Sequence, residues 1–177
     1  LIMEKRILTK FDIFSDISQN TIAAIAEKCT LLEFGKNAIV FHKDELSQTF
    51  FGVVEGEVEL ILVHKEKVLK SQIIDYEKAI VSKYEILEKP IVADIIGPGD
   101  VFCWSAFFTD RHSTSTARCS KQTKLFSLPV SDFKAMFEKD NNLGYAFMTK
   151  LAGIIGDRLR QRTNKLMEVW EEAFESD

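Results

Sequence analysis

The chain has 177 residues and a formal net charge of −4, which allows one or at most two domains and weighs against nucleic acid as main partner, because phosphate contacts need a basic surface. Hydrophobic residues make up 46% and charged residues 28%, the balance of a soluble globular chain with a core of its own, and no apolar run approaches the ~18 residues of a membrane span. Cys29, Cys103 and Cys119 are odd in number and form no Cys-x-x-Cys pair, which points to reduced thiols in a cytoplasmic protein and not to a disulfide framework.

Phenylalanine occurs 14 times, so an aromatic-rich core is expected. The opening LIMEKRILTKFDIF lacks the apolar region of a signal peptide. The first thirty residues read as helix: Ser15 and Asp16 are capping candidates, and Ile17, Ile22, Ile25 and Cys29 recur at roughly helical spacing. Phe11 and Phe14 precede them and would pack on the next layer. From about residue 31, β-branched and aromatic segments of near-alternating polarity take over, broken by turns at Gly35-Lys36-Asn37 and Glu55-Gly56-Glu57. Short strands at this spacing suggest an antiparallel sandwich or barrel.

Residues 66–92 place Ile73, Tyr76, Ile80, Tyr84 and Leu87 at steps of three and four, which favours one amphipathic helix ended by Pro90; strands with a long loop are the alternative. GPGD at 97–100 is a strong turn. TKLFSLP reads as a last buried strand, and VSDFKAMFEKD as a short helix capped by Ser131. A long helix follows, with an apolar stripe of Phe147, Leu151, Ile154 or Ile155, Leu159, Leu166 and Trp170.

As a set, FDIFSDIS, FGKNAIVFHKDE, TFFGVVEGEVEL with Gly56 in its turn, and GPGDVF resemble the cyclic nucleotide-binding domain, the family of the cyclic-AMP receptor protein. The resemblance runs over about residues 7–165. It implies a mainly β fold with flanking helices, a double-stranded β-helix (jelly roll), and a long C-terminal helix that usually dimerises. Residues 1–142 would form the jelly-roll domain, with 66–92 as an insertion, and 143–177 the dimerisation helix.

The family's phosphate-binding cassette aligns without a gap. Phe102, Ala106, Asp110, Arg111 and Thr116 keep scaffold positions. Trp104 stands where a glutamate holds the ribose hydroxyl, Ser113 where an arginine pairs with the cyclic phosphate, and Cys103 where a glycine lets the backbone approach the ligand. Loss of the charged partner of a buried phosphate costs about 2–5 kcal/mol, so tight binding of cyclic AMP or cyclic GMP is not expected. The candidate pocket is Phe102, Cys103, Trp104, Ser105, Ala106, Arg111, His112, Ser113 and Thr114. Trp104 is expected to fill the former sugar site or to stack on a planar ligand. The hydroxyls of residues 113–116 either face solvent on a strand or meet a polar ligand.

Three functions follow as expectations: a small-molecule sensor, a ligand-free interaction module with its pocket filled by Trp104 and Phe107, and a haem sensor using Cys103 or His112, with His42 and His64 as further candidates. No nucleophile–base pair, metal cluster or Gly-x-Gly-x-x-Gly loop suggests an enzyme. Gly153 and Gly156 in the long helix suggest close approach of a second helix, so a homodimer through Phe147, Leu151, Ile154, Ile155, Leu159 and Leu166 is expected. Arg158, Arg160, Arg162 and Lys165 read as a solvated surface. No recognition helix is evident in this sequence, so specific DNA binding by this chain is not expected.

Overall fold

The computed structural model describes residues 4–74, 79–108 and 112–174. The chain opens with α1 (Lys5–Leu8), a 3-10 turn (Asp12–Phe14) and α2 (Gln19–Lys28). Eight strands follow: β1 (Thr30–Phe34), β2 (Ile39–Phe41), β3 (Thr49–Glu55), β4 (Val58–Ile74), β5 (Ala79–Ile96), β6 (Val101–Phe102), β7 (Thr116–Cys119) and β8 (Thr123–Pro129). A second 3-10 turn (Trp104–Phe107) lies between β6 and β7, and α3 (Val130–Lys139) and α4 (Asn141–Phe174) close the fold.

The strands form two antiparallel four-stranded sheets, in the orders β1-β8-β3-β6 and β2-β7-β4-β5. Phe51, Val53, Val58, Leu60, Ile96, Phe102, Ala117, Cys119 and Leu125 make up the smaller core cluster, to which both sheets contribute. The larger cluster joins the helices to β3, β8 and the second 3-10 turn. It is rich in phenylalanine, as the composition suggested. Phe11 meets Phe126 edge-on at 4.8 Å, and Phe133 meets Phe147 at 4.6 Å. Helix and strand share the described residues about equally, which corrects the expectation of a mainly β chain; α4 alone takes 34 residues.

Two local expectations are also corrected. The cap of α2 is Ser18, whose hydroxyl accepts from Thr21 N–H at 3.2 Å, whereas Ser15 closes the preceding 3-10 turn. At α3, Ser131 lies inside the first turn and Pro129 stands at the cap; the leading N–H, from Val130, is satisfied across the fold by Gln48 O at 3.0 Å.

The helix expected over 66–92 is a two-stranded ribbon, β4–β5, paired from Val58↔Ile96 to Ile74↔Ala79. Tyr76, one of the residues that suggested the helix, lies outside the described residues. Residues 83–92 of the ribbon are exposed, so no one-sided core imposed the period-two alternation that marks a strand. Cross-strand ion pairs such as Lys65–Glu88 at 3.1 Å and Lys89–Glu66 at 2.6 Å line it instead. Pro90 lies within β5, an edge strand, where its missing N–H is tolerated.

Gly56 (φ +91°) turns β3 into β4 as expected, and a Cβ there would lie 2.5 Å from Gln122 O. Gly52 serves packing. A Cβ at this position would lie 2.1 Å from the Phe126 ring and 2.7 Å from the Phe11 ring, both fully enclosed. Gly52→Ala is therefore expected to lower stability by about 1–3 kcal/mol through overpacking. The measurement is the urea unfolding midpoint, and an unchanged midpoint contradicts this packing.

Candidate functional site

The site lies where β6 runs into the second 3-10 turn. Gly99 (φ +90°) and a 3.1 Å bond from Asp100 N to Gly97 O make the expected turn, and the chain then enters β6, where Phe102 pairs with Phe51. Cys103 follows in the left-handed region at φ +64°. A residue other than glycine costs roughly 1–2 kcal/mol there. The conformation is the one a glycine would adopt freely, and the cysteine holds it.

Three hydroxyls surround this corner. Ser105 Oγ donates to Ser47 Oγ at 3.0 Å, and Ser47 Oγ shares a 3.0 Å bond with Ser113 Oγ. The Ser113 backbone is fixed by bonds of 2.8 Å to Asp44 N and Glu45 O. Burial raises the Cys103 thiol above its ordinary pKa, and bonds with Ser47, Ser105 and Ser113 oppose the rise. The thiol is thus protonated near neutral pH.

A cavity of about 150 Å³ opens between this corner and α4. Phe41, Leu60 and Phe102 form apolar walls; Ser105, Ser113, Thr114 and Ser115 supply hydroxyls; Cys103, Trp104, Arg158 and Arg162 complete the lining. Of the residues named from sequence, Phe102, Cys103, Trp104, Ser105, Ser113 and Thr114 meet here. Ala106 belongs to the core instead, and His112 is exposed, bridged to Leu46. Arg111 lies outside the described residues. His42 and His64 are exposed, and among the described residues no group of three or more His, Cys, Asp or Glu is placed to hold a metal. Ser113 and Ser115 are buried while Thr114 is exposed, so the hydroxyl tract faces both ways. Phe107 points into the core, against Phe50 and Phe147, each at 5.3 Å.

Arg158 corrects the reading of the basic cluster as a solvated surface. Its side chain is only 11% exposed, and its guanidinium lies 4.7 Å from the Trp104 ring centroid. Nη2 donates to Val101 O at 2.7 Å, and Nη1 stands 4.0 Å from Asp94 Oδ2, too far for a hydrogen bond. Nη1 is buried without an acceptor among the described residues. Burial pulls the Arg158 pKa down, and Asp94 and Asp100 oppose this, yet a guanidinium stays charged at neutral pH. Arg162, half-exposed, also reaches Asp94, at 3.5 Å. The sequence held a signal for Arg158: steps of four, three and four from Phe147 through Leu151 and Ile154 put it on the buried face of α4.

Along α4, Phe147 and Leu151 are fully enclosed in the protein's own core, and Ile154 and Ile155 pack partly against it. Beyond Arg158 the helix is exposed, including Leu159, Leu166 and Trp170. Gly153 and Gly156 face open space. Among the described residues no helix is long and apolar enough to cross a membrane.

Comparison with curated proteins gives no match. Among solved structures, a putative cyclic nucleotide-binding protein from Geobacter metallireducens superposes with a TM-score of 0.66 at 19% identity, over 89% of this chain and 98% of that one. A cyclic nucleotide-binding domain from Methylobacillus flagellatus gives 0.68 at 13% identity, over 92% and 80%. The sensor domain of the transcriptional regulator DNR from Pseudomonas aeruginosa gives 0.58 at 17%, over 88% and 91%. At these identities the likeness is one of fold. The cyclic nucleotide-binding domain family itself matches residues 31–140, well over half of the chain, and with the two sheets, the cassette corner and the long helix in place, the chain belongs to that family.

Proposed function

We propose that this chain is a sensor whose cassette no longer holds cyclic AMP or cyclic GMP tightly and whose long helix passes pocket occupancy to a partner copy. Domains of this family are non-catalytic regulatory modules. The observation that carries the reading is the cassette corner itself: Trp104 and Ser113, where the family places glutamate and arginine, line a cavity of about 150 Å³. Ligand pockets run roughly 300–1,000 Å³, so a cyclic nucleotide lacks both its charged partners and its space.

We read the two sheets as a double-stranded β-helix within residues 1–142, the ribbon over 66–92 as an insertion, and 143–177 as a coupling and dimerisation helix. Occupancy of the cavity would shift the corner against α4, because Arg158 ties the two together. The dimer would use the exposed part of the stripe, Leu159, Leu166 and Trp170, with Ile154 and Ile155 at its inner end; burial of Phe147 and Leu151 in the protomer core withdraws them from it. Three free thiols and the acidic balance support a cytoplasmic protein that does not bind specific DNA. The ligand-free interaction module expects Trp104 and Phe107 to fill the pocket; the core position of Phe107, against Phe50 and Phe147, corrects that part and leaves Trp104 alone of the two at the cavity.

Calorimetric titration with cyclic AMP up to about 1 mM is expected to give no saturable heat. The variant Trp104→Glu/Ser113→Arg should gain at least about thirtyfold in affinity. Micromolar binding by the unaltered chain contradicts the reading. Sedimentation equilibrium at tens of micromolar should find a dimer, reduced to monomer by Leu159→Lys/Leu166→Lys; a monomeric unaltered chain removes the dimer from the account.

A further inference from the structure

The cavity is lined by apolar side chains, hydroxyls and a guanidinium, Arg158, whose Nη1 has no acceptor among the described residues. Phe41, Leu60 and Phe102 line it together with Ser105 and Ser113, and Arg158 joins them from α4. A guanidinium thus reaches the cavity from α4, an element outside the cassette. Two guanidiniums, Arg158 and Arg162, share the single carboxylate of Asp94, at 4.0 and 3.5 Å. Asp100, the other carboxylate acting on Arg158, has Oδ2 engaged by Gly97 N–H at 3.2 Å. The Arg158–Asp94 contact is loose, and an oxyanion with better geometry displaces it at little cost.

The size of the cavity limits what accompanies the anion. An apolar cavity of about 150 Å³ holds a benzene-sized body. The geometry points to a small aryl or compact alkyl anion as the ligand: a single phosphate or carboxylate head taken by Arg158 and by the Ser113 hydroxyl, whose proton is free when Ser47 donates to it, with its apolar body against Phe41, Leu60 and Phe102. This rests on the reading that cyclic nucleotides do not occupy the pocket, and it names the ligand class for that same site. Because Arg158 also holds Val101 O and lies over Trp104, an anion that draws it away loosens α4 from the cassette corner.

The test is calorimetry of the full chain with phenyl phosphate, and with benzyl alcohol as its uncharged counterpart. Phenyl phosphate is expected to bind with Kd below about 1 mM, and benzyl alcohol at least about thirtyfold more weakly. Arg158→Gln should lose phenyl phosphate by at least about thirtyfold, and Arg158→Lys, which keeps the charge but not the planar fork, by roughly tenfold. A thermal melt shows whether Arg158→Gln folds, and where it does not, Arg158→Lys decides. Absence of phenyl phosphate binding, or equal binding by the unaltered chain and the deciding variant, overturns the inference. Micromolar cyclic AMP binding in the same cell instead overturns the preceding reading of the pocket, so the two failures are distinct.

Discussion

One aromatic side chain organises the molecule. Phe147, in the second turn of α4, packs edge-on to Phe133 at 4.6 Å and against Phe50 at 5.7 Å and Phe107 at 5.3 Å. Those three rings come from α3, from β3 and from the cassette turn. Each such pair contributes about 0.5–1.5 kcal/mol beyond area burial. The long helix has its first turns locked into the core and its remainder exposed, and the cassette turn packs on the locked part, the geometry that the proposed coupling requires.

The same geometry explains how the pocket can change its chemistry without disturbing the fold. Of the cassette side chains, Ala106 and Phe107 lie in the larger core, and Phe102 lies in the smaller core and also forms a wall of the cavity. Those that would meet a ligand, Cys103, Trp104 and Ser113, line the cavity. Trp104 and Ser113 thus stand where the family places charged groups while the enclosed core side chains keep their contacts, and on the proposed reading this removes affinity for a cyclic phosphate. Arg158 brings a guanidinium from the helix side, and under the proposed anion binding the group that meets the ligand is also one that fastens α4 to the cassette corner.

Much of this was legible in the sequence, where local chemistry and fold agree. Gly56 and the Gly97–Asp100 turn carry backbone requirements that few residues meet. The cassette substitutions are visible by position. The ribbon was not legible, because strands without a buried face lose the alternation that marks them, and chance steps of three and four then imitate a helix. The α3 start was misread because a tertiary bond from Val130 to Gln48 replaced a side-chain cap. Arg158 was passed over because charge suggests solvent, although its helical phase with Leu151 placed it inward. Ser47 carried no sequence signal, for its role arises only when the loop before β3 folds against the cassette corner.

The most direct test of this account is a double-mutant cycle between Phe107→Leu and Phe147→Leu, read from urea unfolding. If the cassette turn and the helix share one packed contact, the double variant departs from additivity by about 0.5–1.5 kcal/mol. Additivity within about 0.3 kcal/mol would mean that the turn and the helix are energetically independent, and would contradict the coupling on which the account depends.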